Sequence, residues 1–288
     1  MSTIPNRARL LGSLTIFGSA VFFYLSTVVI RWSDRAVDID ASYFAFARFL
    51  LGFGVTAAVM AVRRTGPRVH SYHLLVGRAL SNCIAVFCFF KAVERTTVAQ
   101  ANILNMTYPL FVALISWLVL RKQRDVKALF TVLVAIAGIW LVLAPELSSF
   151  KADNLWGLCS GVTAAFAIVY LNVSRQYHDT NTILLFMFGI GAVTLWVVYH
   201  QRITVPNADE GLYLALCAGA GVAGQYLLTL GFRYVTAVEG SIVSSARILL
   251  AALIGPYVAF DPPLTPAGWL GALLIFGANV YLALRRVA

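Results

Sequence analysis

Apolar stretches long enough to cross a lipid bilayer recur along this 288-residue chain, and they constrain its fold more than any other feature. A transmembrane helix needs about 20 mostly apolar residues to cross a hydrocarbon core of about 30 Å, and 60% of the residues are hydrophobic. The connections between the stretches are too short to form a separate domain. We therefore predict an all-α integral membrane protein whose function lies inside the helix bundle. The sequence predicts ten transmembrane helices, over residues 10–30, 42–62, 73–92, 96–120, 127–144, 155–174, 182–199, 211–231, 237–258 and 267–284.

The distribution of basic residues predicts the orientation of the bundle. A net charge of +10 in a soluble chain suggests a nucleic-acid partner, but here most lysines and arginines flank the apolar stretches, where they set topology. If the N-terminus is inside, the greater share of them lies on the cytoplasmic side. We therefore expect both termini in the cytoplasm, a lipid bilayer around the chain and no nucleic acid. The opposite side then holds Arg31, Arg35, Lys91, Arg95, Lys151 and Arg202.

The chain also contains an internal repeat. At one constant offset, Thr97 aligns with Thr236 and Gly138 aligns with Gly277, together with several apolar residues between them. The simplest explanation is a duplication of a five-helix unit, so that the chain divides into two repeats.

The predicted repeats cover residues 1–148 and 149–288. Because five is odd, the second repeat enters the membrane from the opposite face, and the two halves are inverted about a pseudo-twofold axis in the membrane plane. Such a pair has two nearly equivalent packings, one open to each side, which is the physical basis of alternating access in many transporters.

Several motifs have a structural explanation. Residues 219–224 spell G-x-G-x-x-G, but they lie inside an apolar stretch with no preceding strand, so nucleotide binding is not expected. We interpret these glycines, and the pair Gly157 and Gly161, as surfaces for close helix packing. The histidines lie in loops or at helix ends, and the cysteines form no CxxC pair. We therefore expect no metal site, no cofactor and no catalytic group.

Three arginines lie within the predicted spans, where a charge at mid-bilayer costs about 3 kcal/mol on insertion scales. Arg48 and Arg78 lie within a few turns of a span end, so we expect their side chains to snorkel to the interface. Arg247 lies near the middle of its span and cannot easily reach either interface. It can bond to carbonyls and hydroxyls of a neighbouring helix, or it can bind a carboxylate that arrives with the substrate.

The repeat aligns polar residues of the fourth span with polar residues of the ninth. Residues three positions apart share one helix face, so each of these spans presents a polar face close to the pseudo-twofold axis. A substrate site at the midplane is expected between such faces. The aligned pairs are Tyr108 with Arg247, Asn102 with Ser241, and Asn105 with Ser244.

Other polar residues within the spans can complete the lining of this site. For each of them singly, a hydrogen bond between two helices is the commoner explanation. They are Ser81 and Asn82 in the third span, Gln225 and Tyr226 in the eighth, and Tyr24 and Tyr170 in the first and sixth.

Two further residues are assigned roles in conformational change and coupling. Pro109 lies mid-span and removes a backbone donor, so we predict a kink there that serves as a hinge. Glu239 is the only acidic residue within a span, which makes it the candidate for proton coupling. Facilitated diffusion and exchange remain open alternatives.

The sequence as a whole resembles a known family. The predicted spans, the paired repeat and the runs AQANILNMTYPLFVALISWLVL (99–120) and PLTPAGWLGALLIFGANVYLAL (263–284) resemble the EamA-type branch of the drug/metabolite transporter superfamily. Within that branch the chain looks most like the YddG-type aromatic amino acid exporters. The resemblance implies a ten-helix, inverted-repeat carrier in a bacterial inner membrane. Its helices one to four and six to nine would surround a cavity, and five and ten would be peripheral.

The sequence departs from the family pattern at two places. The family's usual Glu after the fourth helix is Lys122 here, and Asp261 holds the equivalent place after the ninth. The position of Pro109 is occupied by Ile248 in the second half, so the two halves are expected to bend unequally.

The sequence therefore favours a secondary transporter that exports small amphiphilic solutes, amino acids with aromatic or other apolar side chains in the first place. We take Arg247 as the partner of the substrate carboxylate. One alternative is a carrier for cationic drugs, nucleotide sugars or other metabolites. Another is a membrane-embedded enzyme or receptor, against which the lack of a large loop domain argues. The sequence does not indicate an oligomeric state.

Overall fold

The computed structural model describes residues 6–119, 126–143, 152–232, 234–235 and 237–285, and the regular structure in those ranges is helical. A short 3-10 turn covers His200–Arg202. The α-helices, in chain order, are α1 (Asn6–Ser33), α2 (Ala41–Val62), α3 (Tyr72–Arg95), α4 (Val98–Asn105), α5 (Tyr108–Val119), α6 (Val126–Leu143), α7 (Asn154–Ser174), α8 (Thr180–Tyr199), α9 (Ala208–Gly231), α10 (Ala237–Val258) and α11 (Pro266–Arg285).

Short polar side chains mark the starts of several helices. The Asp40 carboxylate accepts a hydrogen bond from the backbone N–H of Ser42 at the start of α2, and Asp179 does the same at the start of α8. At α9, Asn207 and Glu210 exchange hydrogen bonds with each other's backbone N–H groups. These caps satisfy donors that have no partner within the helix, which is why the apolar segments begin at these residues.

Six helices in the described ranges are long and apolar enough to cross a bilayer, namely α1, α2, α3, α7, α8 and α9. Shorter apolar segments occur in α6 (Leu133–Val142), α10 (Val243–Val258) and α11 (Pro266–Tyr281). An all-helical fold with several membrane-crossing helices is therefore confirmed, whereas ten crossing helices and their inverted arrangement stay predictions.

The fourth predicted span, 96–120, is wrong as a single helix, because α4 ends at Asn105 and α5 begins at Tyr108. Pro109 has no N–H to donate to the carbonyl of Asn105, so the helical ladder is interrupted here. The Thr107 hydroxyl donates to the carbonyl of Leu104 at 2.6 Å within the break. The interruption coincides with the predicted kink at Pro109. The role of Pro109 as a hinge stays a prediction.

The helices pack in pairs that join the first half of the chain to the second. The main partners are α3 with α7, α1 with α9, α2 with α8, and α6 with α11.

Glycines allow close approaches between helices. A Cβ at Gly138 of α6 would lie 2.9 Å from the carbonyl oxygen of Gly271 of α11. A Cβ at Gly157 of α7 would lie 2.9 Å from Leu104, and one at Gly161 would lie 2.5 Å from Thr107. The predicted packing role of this pair is confirmed, and its partner lies in the same chain.

Loops close the bundle at two opposite ends. At the Asp261 end, where α1, α3 and α10 end, the indole N–H of Trp32 donates to the carbonyl of Val258 at 2.7 Å. At the His178 end, where α7 ends and α3 begins, the Nε2 atom of His178 accepts hydrogen bonds from the backbone N–H groups of His70 and Ser71, both at 3.1 Å. Each end therefore has contacts between the two halves of the chain.

Candidate functional site

A cavity lies near the middle of the bundle, between α1, α2, α3, α7, α9, α10 and the break between α4 and α5. Its wall combines a few polar side chains with many apolar ones, which is the usual composition of a site for a small molecule. The lining residues are Ser19, Ala20, Phe23, Arg48, Arg78, Asn82, Ala85, Val86, Phe89, Asn105, Met106, Tyr108, Ala164, Ala167, Ile168, Gln225, Leu228, Ser244 and Arg247.

The three arginines of the membrane spans converge on this cavity. Arg48, Arg78 and Arg247 are 4%, 2% and 5% exposed, and all three line its wall. The expectation that Arg48 and Arg78 snorkel to the interface is therefore wrong. Both side chains are directed to the bundle interior, because the helices that carry them face the cavity at these positions. An arginine inside a span was the sequence signal for this site, and distance from the span end was the wrong criterion for separating Arg247 from the other two.

Arg48 is held against aromatic rings and a glycine. Its guanidinium carbon lies 5.1 Å from the centre of the Phe23 ring and 5.8 Å from the centre of the Phe90 ring. On the other side, a Cβ at Gly221 of α9 would lie 2.8 Å from Cδ of Arg48 and 2.9 Å from its Nε. Gly221 and Gly224 thus leave room for Arg48 and Phe23 respectively, which confirms the packing interpretation of these two glycines of the G-x-G-x-x-G sequence.

Arg247 is bonded to Asn105 and lies beside two aromatic rings. Its Nη2 donates to the Oδ1 atom of Asn105, and its guanidinium carbon lies 5.1 Å from the centre of the Phe89 ring and 5.7 Å from that of Phe23. The amide of Asn105 is oriented by a second bond, from its Nδ2 to the Ser160 hydroxyl at 3.0 Å. This arrangement directs Oδ1 of Asn105 to the arginine and fixes the position of one side of the guanidinium.

Several buried polar atoms of the lining have no hydrogen-bond partner among the residues that the structure describes. They are Nε of Arg78, Nε of Arg247 and the hydroxyl oxygens of Ser19 and Ser244. Most buried polar groups in proteins are hydrogen-bonded, so two charged donors and two hydroxyls without partners in one cavity indicate a surface that binds a polar ligand. No aspartate or glutamate is among the residues that line the described cavity.

The structure brings together six of the predicted substrate-binding residues and leaves three elsewhere. Asn102 is a helix-to-helix contact, because its Nδ2 donates to Thr27 at 3.2 Å and to the carbonyl of Val98 at 2.8 Å. Tyr24 is buried in the apolar core, and Tyr170 packs against Gly77. The six that line the cavity are Asn82, Asn105, Tyr108, Gln225, Ser244 and Arg247.

The other polar candidates of the spans lie away from the cavity or outside the described residues. The Tyr226 hydroxyl is 2.7 Å from that of Thr56, and Ser81 is absent from the lining of the cavity. The side chains of Ser241 and Glu239, and the whole of Lys122, lie outside the described residues, so the proton-coupling role of Glu239 stays a prediction. The sequence did not point to Ser19, Phe23 or Phe89, because a serine or phenylalanine in an apolar span carries no signal of its own.

A second opening lies at the His178 end, and we call it the vestibule. It is lined by Val59, Arg63, Arg175, His178, Asp179, Thr180, Asn181, Tyr226, Leu227 and Leu230. Gln225 and Leu228 line the cavity, whereas their neighbours Tyr226 and Leu227 line the vestibule. Residues of a single turn of α9 therefore line both spaces.

The Asp261 end is closed by an ion-pair network. The Nε atom of Arg31 lies 3.4 Å from Oδ1 of Asp261, and the same guanidinium donates to the carbonyl of Thr96. Oδ2 of Asp261 accepts from the backbone N–H of Ala99 at 3.3 Å, in the first turn of α4.

Burial raises the pKa of Asp261. This effect is larger than the opposite effect of Arg31 and of the backbone N–H groups, which lower the pKa. Asp34, which also pairs with Arg31, has its pKa raised by burial to about 6.

Comparisons with known proteins agree with this architecture. An uncharacterized transporter of Helicobacter pylori is 27% identical, over 94% of this chain and 96% of the relative. A pseudopaline exporter of Pseudomonas aeruginosa is 24% identical over 78% of each chain. A solved crystal structure with 19% sequence identity superposes with a TM-score of 0.62, covering 96% of this chain and 99% of the other, and so shares the fold.

The family assignment rests on a match to both halves of the chain. The sequence model of the EamA-like transporter family matches residues 10–144 and again residues 152–284. Multiple apolar helices around a central polar cavity are what a membrane transporter for small molecules requires. The chain belongs to the EamA-like transporter family.

Proposed function

We propose that this protein is a secondary carrier that exports small amphiphilic solutes bearing a carboxylate, such as amino acids with aromatic or other apolar side chains. The observation that carries the proposal is Arg247, which is buried in the cavity with its Nη2 bonded to Asn105 and its Nε without a partner in the part of the chain that the structure describes. A guanidinium with a free donor edge is suited to binding a carboxylate.

The rest of the wall suits the apolar part of such a solute. Phe23, Phe89, Met106 and Ile168 line the same cavity as the arginines. Burial of an apolar side chain against such a wall contributes about 25 cal/mol for each Å² removed from water. Aromatic rings next to the cations also allow an aromatic solute to stack without displacing them.

An inverted repeat would supply the mechanism of alternating access. The proposed repeats are residues 1–148 and 149–288, and the double match of one family model supports a duplication. The contacts between helices support it as well, because α1 packs on α9 while α3 packs on α7, which is the exchange expected if α1 corresponds to α7 and α3 to α9. The two halves would rock about the central cavity.

Two elements are candidates for the moving parts. The break before Pro109 interrupts the hydrogen-bond ladder next to Asn105, so α4 and α5 can change their mutual angle there, which supports the hinge assignment. Contacts at the Asp261 end, where Arg31 pairs with Asp261, would have to open to release a solute on that side.

The charges of the chain and the name of a relative support the proposed location and direction. The excess of basic residues beside the spans supports a cytoplasmic location of both termini, and with it of the His178 end, in a bacterial inner membrane. The name of the Pseudomonas relative, an exporter, supports outward transport. The aromatic amino acid subtype suggested by the sequence is kept here as the first substrate class to test.

Transport by reconstituted protein tests the proposal. Counterflow in proteoliposomes with radiolabelled amino acids and other carboxylates should reveal a transported solute. Arg247→Leu should lower its uptake at least about tenfold, Arg247→Lys should retain part of it, and both variants should keep the elution profile of the unmodified protein. Unchanged uptake by a well-folded Arg247→Leu protein would remove the assigned role, and absence of flux for any solute would contradict the carrier itself.

A further inference from the structure

The cavity contains more positive charge than one carboxylate can balance. Arg48, Arg78 and Arg247 all line it, and arginine keeps its charge in proteins. Among the acidic side chains that the structure describes, which do not include that of Glu239, none forms an ion pair with any of the three. Removal of a charge from water costs several kcal/mol unless a counter-charge and hydrogen bonds replace the hydration.

The protein itself supplies only part of that compensation. Arg247 has the amide oxygen of Asn105, and Arg48 has the faces of Phe23 and Phe90. Arg78 is 2% exposed, and its Nε has no partner among the described residues. Contacts of this kind contribute about 1 to 3 kcal/mol each, which is less than the cost of burying an unpaired cation.

A zwitterionic amino acid would not correct this imbalance. It brings one carboxylate and one ammonium group, so the total charge of the cavity is unchanged after binding. The ammonium group would also find no carboxylate among the described lining residues to accept it. A monoanion would remove one positive charge, and a dianion would remove two.

We infer that the cavity takes an organic solute with at least two negative charges, from two carboxylates or from a phosphate, on an apolar skeleton. This inference rests on the proposed carrier function, and it replaces the zwitterionic amino acids named there with acidic solutes as the substrate class. Two of the cations lie close to one ring, because the guanidinium carbons of Arg48 and Arg247 are 5.1 and 5.7 Å from the centre of Phe23. Acidic groups bound to these two arginines would therefore lie near that ring, with the apolar skeleton in contact with it.

The vestibule next to the cavity also has an excess of basic side chains. Arg63 and Arg175 line the vestibule, together with Asp179. The Asp179 carboxylate caps α8, where it accepts hydrogen bonds from Asn181 and Thr182. The vestibule therefore presents more basic than acidic side chains, which favours the approach of an anion by electrostatic attraction.

Ligand binding to the whole purified protein tests the inference. The probes share a phenyl ring and differ in charge: phenylsuccinate carries two carboxylates, 3-phenylpropionate one, and phenylalanine a carboxylate and an ammonium. Phenyl phosphate separates phosphate from carboxylate recognition. We expect phenylsuccinate, phenyl phosphate or both to bind at least about tenfold more tightly than 3-phenylpropionate, as one additional charged hydrogen bond gives, and phenylalanine to bind most weakly.

Variants connect that preference to the arginines. Arg48→Gln and Arg78→Gln should each reduce the advantage of the di-acid over the mono-acid about tenfold, whereas Arg7→Gln, at an exposed position, should leave it unchanged. If a variant does not fold, the relative affinities of the four probes for the unmodified protein test the inference by themselves. Phenylalanine or 3-phenylpropionate binding as tightly as the di-acids, or no di-acid binding at all, would overturn the inference. Transport of amino acids without any preference for di-acids would overturn it and leave the carrier function standing.

Discussion

Gly221 of α9 lies directly against the side chain of Arg48 of α2, so that a Cβ at position 221 would be 2.8 Å from Cδ and 2.9 Å from Nε of the arginine. Carbon atoms in ordinary contact are about 3.5 to 4.0 Å apart, so Arg48 can keep its place only if residue 221 has no side chain. The identity of a small residue on one helix thus determines where a charge on another helix is held.

Gly221→Ala should displace the Arg48 guanidinium and lower transport or di-acid binding about tenfold, with little loss of thermal stability. Gly219→Ala is the matched control, because position 219 lies on the same helix and a Cβ there meets nothing within 4 Å. The measurements are solute affinity and melting temperature for both variants. Equal affinities for the two would contradict a positioning role for Gly221.

Gly161→Ala should destabilise the contact of α7 with the break between α4 and α5. The added Cβ would lie 2.5 Å from the Thr107 hydroxyl and 2.9 Å from the carbonyl oxygen of Leu104. Overpacking of this kind typically costs about 1 to 3 kcal/mol, so we expect a melting temperature in detergent lower by about 2 to 8 °C. Gly54→Ala, where a Cβ would meet nothing within 4 Å, is the control and should melt at the same temperature as the unmodified protein or slightly above it.

Asn105→Asp tests whether Arg247 binds an anionic substrate or has a structural role only. A carboxylate at position 105 would pair with the guanidinium to which the Asn105 amide now bonds, and it would compete with any anion from solution. We expect a higher melting temperature together with at least about a tenfold loss of affinity for anionic solutes. Unchanged affinity would show that Arg247 has only a structural role.

Asp34→Asn should change stability with pH in a definite direction. The pKa of Asp34 is 3.8 in an ordinary environment and about 6 in the folded protein, because burial raises it more than Arg31 lowers it. Between these pH values the folded state holds more protons than the unfolded state, so the free energy of unfolding falls as the pH rises through this window. The neutral Asn side chain removes this loss of stability.

The melting temperature of Asp34→Asn should therefore exceed that of the unmodified protein by about 2 to 4 °C at pH above about 7, and the difference should vanish below pH 3.8. Asp38→Asn, four residues further along the chain, serves as the control. A difference that is constant with pH would contradict the assigned titration.

Much of the helical architecture was predictable because it depends on local composition. The apolar runs are long, and polar caps such as Asp40 and Asn207 mark where α2 and α9 begin. The predicted span 96–120 was wrong in one respect, because a missing N–H at Pro109 outweighs the apolar composition around it and divides the span.

The site was predictable only in part. Arg247 and Asn105 stood out as polar residues near the middle of spans, and they line the cavity together. Asn102 stood out equally, yet its amide bonds to Thr27 on another helix. Helical spacing determines which residues share a face, but it does not determine which neighbour that face contacts.

The sequence alone determined that this chain is a helical membrane protein with charges in its spans, because hydrophobicity and span length act over about 20 consecutive residues. The tertiary structure decided where those charges go. Arg48 and Arg78 are close enough to span ends to reach water, and only the packing of α2 and α3 against their neighbours turns both side chains inward, to the cavity that also contains Arg247. The physical reason is that helix contacts depend on the fit of small residues such as Gly221 to large ones on distant segments, which no local pattern specifies.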